Sequence, residues 1–397
     1  MKAIKLKTIE QEFIPVLLGK ATQVQEWQSL VDYSIKKRLF PQFFFQLQRQ
    51  KSVIPQNIFS SCESLYLTNL RANLIQEKEL VSILFHFKEK KIPVIVLKGL
   101  LFARIIYDDL ANRQVATDFD LLVHPEHFPL AKEILMTAGY VCQAQNQDEA
   151  QSVSNLKYYG QVGFWRKSDE GNTFCIDLHQ ELRGVFAYPQ LLDLWQDVEE
   201  LDFPGIKVIV PSTENLFIYL CLLAMSLQAF PELRYFYDIH SFIGKYRHQL
   251  NWEKLAQKLV GFRHDACVYF ALELSRDLFG TDVPKDYRKE LRPGLFKRRF
   301  VSIWLNKENI MFLENKKRQY YFTKTWHIFA TSCLYSKGFF DCLNIIFRKI
   351  FLPMELIAGS GQSWGRRIFL YGKWFLNKMF PFRSLNVAVK ASTKNKE

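Results

Sequence analysis

Residues 94–123 read VIVLKGLLFARIIYDDLANRQVATDFDLLV, and this stretch decides the fold. Its opening run, which starts at Ile92, is short and β-branched, the composition of a buried strand. Lys98-Gly99 follows at once, and Leu100 to Tyr107 then reads as a helix. A polar loop from Asp108 to Thr117 leads into Asp118-Phe119-Asp120-Leu121-Leu122-Val123, a second strand. Residues two apart on a strand share a face, so Asp118 and Asp120 point one way and Phe119 the other.

Downstream, Pro125 starts a helix that runs to Ala138 and is closed by Gly139. Tyr140 to Gln143 is strand-like, and Gln145 to Ser154 reads as a loop. Tyr159–Lys167 and Asn172–Leu178 read as a hairpin across the turn residues Ser168 to Gly171. After Pro211 the chain reads helical almost throughout, with Ser212 or Thr213 as cap of a helix from about Glu214.

Upstream, a long helix is expected from about Ser60 to Lys90. Its buried face is Leu67, Leu70, Leu74, Leu80, Ile83, Leu84 and Phe87, and it ends in a basic run suited to a helix C-terminus. Residues 1–57 also look helical, with Trp27, Leu30, Val31, Ile35 and Leu39 at spacings of three and four. The expected architecture is α+β. Helices occupy 1–91, a small mixed-sheet core 92–205, and a helical region 206–397.

Composition excludes disorder: 48% of the 397 residues are apolar, and Phe alone occurs 35 times. The first residues lack the apolar run of a secretory signal, and no stretch of about 18 uncharged apolar residues suggests a spanning helix. Seven scattered cysteines, never in a C-x-x-C pair, point to free thiols in a reducing compartment. A cytoplasmic protein is expected.

The net charge of +13 is unevenly placed. From Lys285 onward there are 23 basic and 7 acidic residues, +16; positions 1–284 hold 30 and 33, −3. Lys297-Arg298-Arg299 and Lys316-Lys317-Arg318 are the densest clusters, and aromatics such as Tyr320 and Trp326 interleave beyond them. The stretches 339–352 and 366–382 alternate apolar faces with Arg and Lys. Such helices suit a helical subdomain with a basic outer face, or an anionic membrane surface on which the protein would sit peripherally. A nucleic-acid groove fits the pattern less well.

The chemistry-bearing set is ordered along the chain. Asp118 and Asp120 can hold one cation, and Asp177, flanked by Ile176 and Leu178 on a later strand, can complete an oxygen site for Mg²⁺. Two such ions would stabilise the attacking and leaving oxygens of an in-line displacement at phosphorus. Gly99 lets backbone approach a phosphate at a helix start, and Lys98 adds charge. Arg113 reads either as a phosphate clamp or as a partner of Asp108 or Asp109. His179 shares the face of Asp177 and would orient it or touch substrate. Arg234 and Asp238 stand at i and i+4, spaced for a mutual salt bridge; the alternative sends Arg234 into the cleft.

Residues 94–140 resemble the signature of the bacterial family of uncharacterised nucleotidyltransferases, placed in the DNA polymerase β-like superfamily. The matching elements are Leu97-Lys98-Gly99, Arg113, Asp118-Phe119-Asp120-Leu121-Leu122-Val123 and Gly139-Tyr140. Asp177 and His179 in CIDLHQEL, and the helix Leu233-Arg234-Tyr235-Phe236-Tyr237-Asp238, match later family motifs. Two departures stand out. Leu100 follows the glycine where the superfamily usually has serine or glycine, and Leu222–Ser226 lacks a histidine the family often carries.

The resemblance implies a nucleotidyltransferase core with Asp118, Asp120 and Asp177 as metal ligands and Lys98 and Gly99 at the triphosphate. It implies transfer of an NMP, AMP foremost, from an NTP to the hydroxyl of an acceptor it does not identify. The competing expectation is a nucleotide-binding module without turnover, docked on a membrane or partner by its basic helices.

Overall fold

The computed structural model of the chain describes residues 2–20, 23–49, 54–114, 118–142, 156, 160–182, 192–225, 231–259, 264–312, 332–336 and 339–350, with single positions at 365, 366, 368 and 372. Four helices come first: α1 (Lys2–Leu17), α2 (Trp27–Lys36), α3 (Phe40–Gln48) and α4 (Gln56–Glu89). Phe13 sits at their centre, with its ring 4.9 Å from Tyr33 and 5.4 Å from Phe43.

The sheet elements follow as β1 (Ile95–Leu97), α5 (Leu100–Tyr107), β2 (Asp118–Leu122), α6 (Phe128–Thr137), β3 (Val141–Cys142), β4 (Gln161–Lys167) and β5 (Thr173–His179). A second hairpin, β6 (Val198–Phe203) and β7 (Ile206–Pro211), completes seven strands in the order β3-β4-β5-β2-β1-β7-β6. The sheet is mixed: β2 runs parallel to β5 and β1 parallel to β7, while the other neighbours are antiparallel. The α+β architecture expected from the sequence is the one found. The β4–β5 hairpin is also as expected, with its turn at Ser168–Gly171.

Two features differ from expectation. The β6–β7 hairpin was not foreseen, and it carries the sheet to Pro211, past residue 205. β6 hid because its residues Val198, Glu199 and Glu200 are exposed, which leaves no apolar alternation to read. The buried face of α4 also differs. Leu67 and Leu74 are about half exposed, whereas Tyr66, Asn73 and Glu77 are buried. Here α4 docks on polar backbone. Asn73 donates to the carbonyls of Leu110 and Arg113, Tyr66 donates to Asn112, and Glu77 accepts both prongs of Arg104. Buried polar groups need partners, and these contacts outrank the leucine pattern.

Beyond the sheet come α7 (Thr213–Ala224), α8 (Leu233–Tyr246), α9 (Trp252–Leu259), α10 (Asp265–Phe279), α11 (Lys285–Glu290), α12 (Leu295–Trp304), α13 (Lys307–Phe312) and α14 (Phe339–Ile350). Ser212 precedes α7 as the capping residue, without a side-chain cap bond. Lys297-Arg298-Arg299 lies on α12. Lys316-Lys317-Arg318, its aromatics, the loop 145–154 and most of 366–382 lie outside the described residues. Among the described residues no helix is long and apolar enough to cross a membrane.

Candidate active site

The site forms where β1 ends. Lys98 and Gly99 link β1 to α5 and both have positive φ, 25° and 56°. Gly99 adopts this at little cost; a lysine in that region carries strain of about 1–3 kcal/mol. The strained turn aims the Lys98 side chain at β2. Its Nζ donates to Asp120 Oδ1 at 3.0 Å and lies 3.9 Å from Asp118 Oδ2.

β2 and β5 run parallel in a register that sets Asp118 beside Cys175, Asp120 beside Asp177 and Leu122 beside His179. One face of these strands is closed: Phe119, Leu121, Phe174, Ile176 and Leu178 are buried in the core. The other is open, with Asp118, Cys175, Asp177 and, on β4, Gln161, Gly163 and Trp165 only half-buried. Gly163 is the register partner of Asp177, so a residue without a side chain flanks that carboxylate.

Asp120, Asp177 and His179 each bring a ligand atom within 4.8 Å of the others, a group able to hold a metal ion. Asp118 is on the same face one step outward, with its side chain 36% exposed, and is not part of that tight group. His179 Nε2 and Asp120 Oδ1 are 3.2 Å apart. Burial alone would raise the Asp120 carboxyl; the bond to His179 and the charge of Lys98 outweigh it and hold the carboxyl below its ordinary value. An ionised Asp120 accepts, so His179 donates from Nε2. The histidine thus serves Asp120 rather than Asp177. Asp177 shifts the opposite way: burial, then the charge of Asp120, raise its carboxyl. Burial would lower the Lys98 ammonium, but the Asp120 carboxylate prevails and raises it.

Arg113 turns away from the open face. Its guanidinium pairs with Asp238 of α8, Nη2–Oδ2 2.9 Å and Nε–Oδ1 3.3 Å, and donates to the Gly99 carbonyl at 3.4 Å. Tyr107 also donates to Asp238, at 2.8 Å. Asp108 and Asp109 are therefore not its partners: Asp108 accepts from Lys245, and Asp109 caps the turn at Leu110–Asn112. The Arg234–Asp238 pair expected from i, i+4 spacing is absent for the same reason. Arg234 pairs instead with Glu232 at 2.7 Å, and its guanidinium lies over the Tyr235 ring at 4.7 Å.

Sequence reading missed Tyr219 of α7 and Tyr235 of α8, which neighbour Lys98; burial keeps the Tyr219 hydroxyl protonated. Tyr235 stands inside the L-R-[aromatic] motif, a signal that was present but was read only for its arginine.

The donor set suits a hard divalent cation: two carboxylates on adjacent strands with a third beside them, one of them raised by burial and then by its neighbour's charge. No curated protein and no solved structure matches the chain. A family model does, that of the Uncharacterised nucleotidyltransferase family, over residues 23–280. The chain belongs to that nucleotidyltransferase family, and its activity is the transfer of a nucleotidyl group.

Proposed function

We propose that the protein moves AMP from ATP to an acceptor hydroxyl in a Mg²⁺-dependent reaction centred on Asp120 and Asp177. The observation that carries this reading is the register pair Asp120–Asp177 beside the Lys98–Gly99 turn. Asp118, Asp120 and Asp177 would hold the cation, which supplies charge neutralisation for the triphosphate and the developing leaving group.

The chain's own residues do the remaining work. The Gly99 turn and the start of α5 accept the phosphates. Lys98, paired with Asp120 at 3.0 Å, would release it and take up charge on the leaving pyrophosphate. His179 keeps Asp120 oriented. Asp177, its carboxyl held above the ordinary range, is the group to take the acceptor's proton at a carboxylate oxygen. Arg113 braces the turn through Gly99 and Asp238, so its part is positioning.

Purified protein incubated with α-labelled ATP, Mg²⁺ and cell extract is expected to transfer label to an acceptor. Labelling that persists unchanged in the Asp118→Ala/Asp120→Ala double variant would overturn the assignment.

A further inference from the structure

Far along the chain from the carboxylates, Cys333 and Cys342 bring their sulfurs to 3.0 Å. Nothing in the spacing of nine residues advertises this. Cys333 stands on the helical residues 332–335 and Cys342 in the first turn of α14. A covalent S–S bond is about 2.05 Å, so a shift of about 1 Å converts contact into bond. Two further groups converge there. Ser336 Oγ donates to the Cys333 carbonyl at 2.8 Å, and Lys297 of α12 donates to the Ser336 carbonyl at 2.7 Å. Cys342 also sits in the first turn of α14, where the helix dipole favours a thiolate.

We infer that Cys333 and Cys342 are a redox-active dithiol that forms an intramolecular disulfide by exchange with a low-molecular-weight disulfide. Cys342 is the attacking sulfur. Its thiol is held down to about 7, first by the hydrogen bond from Cys333 and then by Ser336 and Lys297, against the opposing effect of burial. Cys333 is raised by the same contact and by burial, so it keeps its proton and resolves.

In the first step the Cys342 thiolate attacks one sulfur of R–S–S–R, forming a mixed disulfide and releasing one RS⁻. In the second, Cys333 gives up its proton, attacks the Cys342 sulfur and displaces the other RS⁻. The protein loses two electrons, the small disulfide gains them, and the two thiol protons end on two molecules of RSH. Cys221 and Cys267, fully buried with thiols raised by burial, stay out of this exchange.

The test uses the full chain and oxidised glutathione. After treatment and trapping with iodoacetamide, peptide mapping is expected to show a cross-link between the peptides holding Cys333 and Cys342, which trypsin separates at Lys337. In reduced protein, Cys342 is expected to alkylate about tenfold faster or more than Cys267. Cys333→Ser is expected to trap glutathione on Cys342 as a lasting mixed disulfide. A glutathione adduct that persists on the wild-type chain, a cross-link between other cysteines, or equal alkylation rates would overturn the inference. The wild-type mapping decides the matter even if the serine variant fails to fold.

Discussion

Arg113 and Asp238 lie 125 positions apart and meet as a buried two-pronged ion pair that ties the loop before β2 to α8. The pair is 4% and 0% exposed, and Tyr107 and the Gly99 carbonyl complete its hydrogen bonds. It connects the Gly99 turn to the helical region with no contact to the open face.

Removing one partner strands a buried charge. Asp238→Ala is expected to cost about 3–5 kcal/mol. Replacing both with apolar residues, Arg113→Met with Asp238→Leu, is expected to recover most of that loss. Urea unfolding of the wild type and the two variants measures it; a double variant no more stable than the single would show that the pair's charges matter beyond their mutual neutralisation.

Asp120→Asn keeps the shape and removes the charge that Lys98 and His179 serve. Nucleotidyl transfer is expected to fall by about 10²–10³-fold. Chelation of divalent metal should abolish the wild-type rate, and added Mg²⁺ should restore it.

His179→Ala tests orientation separately. The Mg²⁺ concentration for half-maximal rate is expected to rise about 10–100-fold, as for a lost partner of a ligating carboxylate. An unchanged half-saturation point with a lower maximum would place His179 at the substrate instead.

A pH prediction comes from Asp197, bound by Lys258 and Lys254 at 3.0 Å each. Those bonds lower its carboxyl from 3.8 to about 2. A lowered folded value means the stabilisation is complete above the unfolded value and is lost as pH falls from about 4 to about 2. The thermal midpoint of the wild type should exceed that of Asp197→Asn at pH 6, and the gap should close by pH 2. The side chain is about a third exposed, so salt should shrink the gap too.

On α4, Phe87→Ala is expected to cost about 3–5 kcal/mol. Leu74→Ser, at a half-exposed position, should stay within about 0.5 kcal/mol of the wild type. A large loss at Leu74 would restore the leucine-face reading.

That contrast shows where sequence reading reaches. β1, the Lys98–Gly99 turn, β2 and β5 were legible because their signals are local: β-branched runs, a glycine, and carboxylates at period two on a strand with an apolar opposite face. The β6–β7 hairpin was not, because Glu199 and Glu200 face water and the strand is defined only by its pairing with β7. The partners of Arg113 and Arg234 were not, because i, i+4 geometry permits a pair that a distant buried arginine then takes. The burial of Asn73 and Glu77 on α4 was not legible either, because it depends on the distant groups they satisfy, the carbonyls of Leu110 and Arg113 and the Arg104 guanidinium.

The position of β7 has a consequence for dissection. It covers β1 on the side away from β2, so the strand leading to Lys98 is interior to the sheet. A fragment ended at residue 205 would strip that cover and leave Ile95, Val96 and Leu97 with a bare row of amides and carbonyls. Such an edge invites pairing between molecules. Fragments that keep the carboxylates must therefore run through Pro211 to remain monodisperse.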